Sequence, residues 1–344
     1  MTSVDSDWPA LLKDNSRTGG QQAAAARAPS RARWQVRLGS AVRSSPVLRD
    51  GILYVTAVSG TLHAIDSQSG RTKWKFQASG LVHSTPSICG DKVLFGCDDG
   101  RIYAVSCESG ARSWEAVSQG EVWTSPVARD GIVYFGSADA RLYAINANTG
   151  TAQWKQEVGG RIYSTPFVTD KGIVFGCGDA NVYSVDPSSG KILWRTATGN
   201  GIDSSPAVTA DTVVIGSEDF WVYALDANTG AVRWKYETGL GIASSPAISG
   251  ELAIIGSKDG YVYALETATG RLRWKAQAGD VVTAPPVIAN GIVCIQAGGT
   301  FAFETNSGKL AWRAGLGGAV QSVPVLTDKV IYLTSLDGEV YALE

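Results

Sequence analysis

Residues 224–234 read Ala224-Leu225-Asp226-Ala227-Asn228-Thr229-Gly230-Ala231-Val232-Arg233-Trp234. The stretch joins the end of an apolar run to the start of another through a turn. The Asp226 carboxylate is placed to bond backbone groups two residues on, and Gly230 suits the left-handed position that closes such a turn. Variants of the stretch recur from Ala64 to Trp74, Ala104 to Trp114, Ala144 to Trp154, Ser184 to Trp194, Ala264 to Trp274 and Ala302 to Trp312. Counting Trp34, eight tryptophans stand 40 residues apart, with a last step of 38. Fixed self-similarity at this period means stacked supersecondary units.

Each copy has four segments. A short apolar run surrounds a proline, as at Ser45-Pro46, Thr85-Pro86 and Ser205-Pro206. The second run is β-branched and aromatic, as in Gly131-Ile-Val-Tyr-Phe-Gly136. The third reads Tyr-Ala-Leu-Asp or a near variant, and the fourth carries the tryptophan. Runs this short, bounded by Gly, Asp, Asn and Ser, are strands, and the turn spacing is that of an all-β protein. Asp50-Gly51 and Asp130-Gly131 mark tight hairpins between the first two strands. Four antiparallel strands, repeated eight times, predict an eight-bladed β-propeller. Trp34 precedes the first Ser-Pro strand, while Tyr341-Ala-Leu-Glu344 ends the chain without a tryptophan strand. The N-terminal strand is therefore expected to complete the last blade and remove two open edges.

The segment from Ala224 to Trp234 resembles the tryptophan-docking motif of pyrroloquinoline-quinone-like repeats, and the resemblance covers residues 34–344. That family includes quinone-dependent alcohol dehydrogenases, the outer-membrane assembly lipoprotein of the Bam complex and sensor domains. The resemblance implies that the eight tryptophans are structural, each held between blades. It does not extend to the quinone enzymes' chemistry. Those are longer and carry adjacent cysteines, which this chain lacks, and no Asp/Asn/Glu set matches their calcium and base residues. No bound quinone, other cofactor or metal is expected.

The uninterrupted repeat implies one propeller domain, 34–344, preceded by a lead segment, 1–33, that is partly irregular and expected along the ring surface. A net charge of −2 gives no electrostatic footprint for nucleic acid, and no window resembles a membrane span. Without an apolar signal-peptide core or a lipidation cysteine, the chain as given is expected in the cytoplasm, or in the periplasm if an export signal was trimmed. A monomer is expected. The five cysteines, Cys89, Cys97, Cys107, Cys177 and Cys294, have no metal-ligand spacing and suit a reducing compartment.

Eight internal copies allow departures from the repeat to be located. Two residues before each Ser/Thr-Pro pair or its equivalent stand Arg43, His83, Trp123, Tyr163, Asp203, Ala243, Thr283 and Gln321, each preceded by Val or Ile. This is a ring of unlike side chains at one level of the channel mouth. Such a ring either plugs the channel or binds a ligand between aromatic walls and polar groups. The turns between second and third strands share that face. There Glu218 and Lys258 are equivalent positions, and Phe220-Trp221 replaces the usual Gly or Ala and its polar neighbour. In the seventh copy Gln296-Ala-Gly-Gly299 shortens the turn by two residues and should open the face locally.

Two function classes follow. One is a rigid module binding a small molecule or a protein or peptide partner through Arg43, Trp123, Tyr163, Gln321, Glu218, Lys258, Phe220 and Trp221. The other is a cofactor-free enzyme of isomerase, cyclase or lyase type, with His83 and Asp203 as acid and base and Tyr163 as hydrogen-bond donor. An open pocket at the mouth favours the enzyme or small-ligand class. Side chains stacked on one another favour the module.

Overall fold

A computed structural model of the chain describes residues 28–279, 281–315 and 322–344. Thirty-two strands, β1–β32, form eight four-stranded antiparallel sheets, and among the described residues every regular element is a strand. Blades 1–7 occupy residues 47–77, 87–117, 127–157, 167–197, 207–237, 247–277 and 287–314. Blade 8 takes its three inner strands from 325–343 and its outer strand, β1 (Ala32–Arg37), from the other end of the chain. The expected closure is therefore present: Trp34 lies opposite Ala342 and Arg37 opposite Glu339. The pairing extends below residue 34, since Ser30 and Arg31 already donate backbone N–H groups to the Glu344 carbonyl. The rest of the lead, and with it the expected course along the ring surface, lies outside the described residues.

The turns behave as their residues dictate. Asp50 and Gly51 both take positive φ (49° and 73°), as do Asp130 and Gly131 (51° and 77°), the mirror-image turn that matches strand twist. The Asp226 carboxylate accepts from the N–H of Asn228 at 3.0 Å and of Thr229 at 2.9 Å. Hydrogen bonds, first that of Arg233, hold it well below the usual carboxylate range.

One bulge precedes each of the eight repeat tryptophans, as where Ala104 faces Trp114 but Val105 faces Arg112. An extra residue there re-aims the side chain that follows. The tryptophan thus reaches the next blade: Trp74 Nε1 donates to the Cys107 carbonyl at 3.0 Å, and Trp114 Nε1 to that of Ala147 at 3.0 Å. Its ring covers the turn glycine, and a Cβ on Gly110, at φ 72°, would meet the Trp74 ring at 2.7 Å. The turn thus needs glycine for its backbone and for ring contact alike. Trp34 through Trp274 make the same bond to the following blade, so these tryptophans are structural. The core lies between blades, as where Leu94, Ile102 and Trp114 pack with Val133, Phe135 and Ile145.

Candidate functional site

Each mouth residue among the described ones is bracketed by two buried anchors. Val122 is fully buried and fills the space beside Gly96, where a Cβ would stand 2.5 Å from it. Ile162, Ile202, Ile242 and Val282 meet Gly136, Gly176, Gly216 and Gly256 in the same way. In these five copies the space beside the glycine takes a β-branched apolar side chain, Val or Ile. On the other side, buried Ser84 donates to the Gly96 carbonyl at 2.9 Å and Thr124 to that of Gly136 at 2.9 Å. A belt of hydrogen bonds between neighbouring loops runs just inside. Ser45 N–H donates to Thr85 Oγ1, Thr165 N–H to Ser205 Oγ, and Val323 N–H to Ser45 Oγ across the ring closure. The residue between the anchors has no place to go but the channel mouth.

There the side chains touch. Trp123 stacks on Tyr163 with ring centroids 4.5 Å apart and planes 14° from parallel, and His83 tilts against Trp123 at 4.9 Å. Asp98, from the second-to-third-strand turn, accepts from Trp123 Nε1 at 2.8 Å on one oxygen, and its other oxygen is 3.5 Å from His83 Nε2. The Arg161 guanidinium caps the far side, 5.0 Å from the Tyr163 ring centroid. Burial chiefly raises the Tyr163 hydroxyl above its ordinary range.

Asp203 belongs to a second group. Its carboxyl is raised above the usual range by burial first, with Arg161 and Lys258 opposing and Glu218 reinforcing. Glu218 and Lys258 pair with each other at 2.6 and 2.8 Å. His83 therefore pairs with Asp98, while the charges that act on Asp203 are those of Arg161, Glu218 and Lys258. Arg43 is exposed and makes no polar contact among the described residues, and Gln321 lies outside them.

Phe220 sits in the left-handed region at φ 79° and is 43 % exposed, at a position that is Gly or Ala in most other blades. Its carbonyl and that of exposed Leu240 both lie 2.8 Å from Thr238 Oγ1, so the two loops that carry Phe220 and Leu240 meet there. Trp221 does not share that exposure. It is half-buried against the core between blades 4 and 5, under Lys235 Nζ 4.5 Å from its ring centroid. The shortened blade 7 turn leaves a hollow of about 420 Å³ beside Gly298, Gly299 and Phe301.

Asp98 and Arg161 were not among the candidates drawn from sequence. The signal for Asp98 was present, because it shares the repeat position of Glu218 and Lys258. Arg161 stands two residues before Tyr163, where other copies carry Leu81, Glu121 or Gly201, and nothing in one sequence marks it out.

A closed eight-bladed ring, its blades docked by tryptophan and its mouth carrying a stacked aromatic row, defines a pyrroloquinoline-quinone-like repeat propeller. More narrowly, the chain belongs to the family described as outer membrane protein assembly factor BamB, which matches residues 15–121, 98–179 and 170–344. No curated protein is a significant match to the sequence. BamB from Moraxella catarrhalis superposes with a TM-score of 0.80 at 18 % identity, covering 91 % of this chain and 99 % of that one. The computationally designed Ika8 protein gives 0.80 at 19 %, covering 89 % and 97 %. Quinohemoprotein alcohol dehydrogenase from Comamonas testosteroni gives 0.82 at 15 %, covering 98 % and 80 %. At these identities the superpositions speak for the fold alone. The mouth residues do not fit a quinone held with calcium. Trp123 is stacked on Tyr163 instead of walling a slot, Asp98 is engaged by Trp123, and no cluster of three metal-ligating side chains occurs among the described residues.

Proposed function

We propose that the protein is a rigid binding module that holds a protein or peptide partner on its channel-mouth face. The observation that carries this reading is the stack of His83, Trp123 and Tyr163, pinned by Asp98. Rings that pack on one another form a ledge with little rotamer freedom left to lose, which suits association with a surface. Phe220 and Leu240 extend the apolar contact on the same face. The family's description, the assembly of outer membrane proteins, concerns protein handling and supports a protein partner over a small molecule. Aromatic anchors ringed by the Glu218–Lys258 pair and Arg161 resemble a binding hot spot with a polar rim.

The test is selection of linear peptides on the wild-type protein, followed by titration read through tryptophan fluorescence. Selected peptides should bind Trp123→Leu/Tyr163→Leu at least about 30-fold more weakly, the loss of one or two hot-spot residues. Equal binding to that double variant removes the ledge from the working surface. Loss confined to Phe220→Ala moves the surface to blade 5. A small molecule whose turnover requires His83 and Asp203 would replace the module reading by the acid/base one.

A further inference from the structure

The outer wall of the ring between blades 2 and 3 holds a groove of about 670 Å³. Ala116, Phe135, Tyr143, Ile145, Gly150 and Trp154 line it. Ala116 lies on β9 (Arg112–Val117), the outer strand of blade 2, and Phe135 and Tyr143 belong to blade 3. The repeat itself shows what such a groove takes. One blade earlier, the position of Ala116 is Phe76, and those of Phe135 and Tyr143 are Phe95 and Tyr103. Phe76 packs across the blade boundary, 6.0 Å from Phe95 at 70° and 5.5 Å from Tyr103 at 58°. In blade 5 the same position is Tyr236, which packs on Tyr263 of blade 6 at 5.8 Å and 56°. Two boundaries thus carry the same tilted ring on the same tyrosine. At the boundary of blades 2 and 3 the receiving pair is intact, Phe135 and Tyr143 stacked at 4.9 Å, but Ala116 ends at its Cβ.

A second feature of this wall concerns backbone. In the sheet order β9 is terminal, so one of its edges is unpaired. Val117, next to Ala116 on that strand, is 64 % exposed, the largest exposure among the large hydrophobic residues described. An open strand edge offers an extended segment its unpaired N–H and C=O groups, and an adjoining pocket supplies side-chain selection.

We propose that this groove docks an extended segment of a partner protein, which inserts a phenylalanine or tyrosine ring against Tyr143 in the place that Phe76 and Tyr236 fill from within the chain. The tilted arrangement is favourable for aromatic pairs beyond the area it buries. Both Phe76 and Tyr236 are accepted at the equivalent boundaries, so a ring with or without a hydroxyl fits. The site lies on the outer wall and does not depend on the reading of the channel mouth.

The probe is the peptide acetyl-Thr-Thr-Phe-Thr-Thr-amide, with its Phe-to-Ala counterpart as control, titrated into isotopically labelled full-length protein and followed by amide shifts. Saturable shifts at Ala116, Val117 and Gln153 are expected with the first peptide, and at least tenfold weaker binding with the second. Ala116→Phe, which supplies the missing ring from within, should melt at or above the wild-type temperature and abolish binding. Trp123→Leu/Tyr163→Leu should bind as wild type does, which separates this site from the mouth. If Ala116→Phe does not fold, Ala116→Leu provides the block. Equal binding of the two peptides, binding that survives the blocking variant, or toluene saturating the groove where the peptide does not, would each overturn the proposal.

Discussion

Phe220 combines two unfavourable properties, a bulky side chain at φ 79° and 43 % exposure. A left-handed conformation costs a non-glycine residue about 1–3 kcal/mol, and such cost tends to persist where a side chain has a use. Phe220→Gly relieves the backbone and gives up only partial burial, so its stability should stay within about 1 kcal/mol of wild type, against roughly 3–5 for a core phenylalanine. Denaturant unfolding measures this, and a loss in the core range would show that the ring is a packing element. His63 presents the opposite case. It replaces the third-strand tyrosine in blade 1, where Ser59 also replaces the aspartate that this tyrosine bonds in blades 2–6. It is 2 % exposed and neither nitrogen has a partner. Burial first, then Lys75, lowers its pKa to about 4. Because the unfolded chain binds this proton near pH 6.5 and the folded chain only near 4, the stability is present above 6.5 and lost as pH falls toward 4. Going from pH 7.5 to 4.5 should cost wild type about 2–3 kcal/mol more than His63→Phe. Asp186 and Glu266 titrate lower, both held at about 2 by hydrogen bonds, chiefly from Ser188 and Arg271 respectively, so their losses centre on more acid pH. Identical pH profiles for the two proteins would contradict the burial of His63.

At the scale of elements, the docking of one blade on the next runs through a tryptophan, a bulge and a glycine. Gly110→Ala places a methyl 2.7 Å from the Trp74 ring and forces alanine to φ 72°. Strain and overpacking together should cost about 2–4 kcal/mol. Gly131→Ala, also at positive φ but with nothing within 4 Å, should cost only about 1 kcal/mol. The contrast between the two, read as melting temperatures, isolates the ring contact. Strands, turns and blade count were legible in the sequence because they rest on local chemistry repeated eight times. The mouth ring was legible as a set of positions for the same reason. Its contacts were not, since Trp123 meets Tyr163 and Asp98 only through the curvature that brings loops 40 and 25 residues apart together. The groove at Ala116 was hidden differently. An alanine in a strand is unremarkable until Phe76 and Tyr236 show what the neighbouring blade is shaped to receive.

Across the whole molecule, stability depends on closure, because each blade buries its core against two neighbours. Blade 8 is made from both ends of the chain: β1 pairs along β32 (Glu339–Leu343), Arg31 bonds the Glu344 carboxylate at 2.8 Å, and Trp34 Nε1 donates to the Ser67 carbonyl of blade 1. An open array of repeats could lose a terminal strand and fray locally, since its units contact only sequence neighbours. A closed ring cannot, because the strand lost here belongs at once to blade 8 and to its boundary with blade 1. Deleting residues 30–38 should therefore expose the edge of β32 (Glu339–Leu343) and the apolar surface around Tyr332 and Tyr341, producing aggregation in place of a soluble folded protein. Supplying the excised strand as a separate peptide should restore solubility in proportion to its concentration, because binding to the native ring alone raises its stability. Light scattering and analytical ultracentrifugation read both outcomes. A deletion variant that stayed monomeric and unfolded at the wild-type midpoint would mean that the first strand adds little to the ring, and that the other seven blades hold the circle without it.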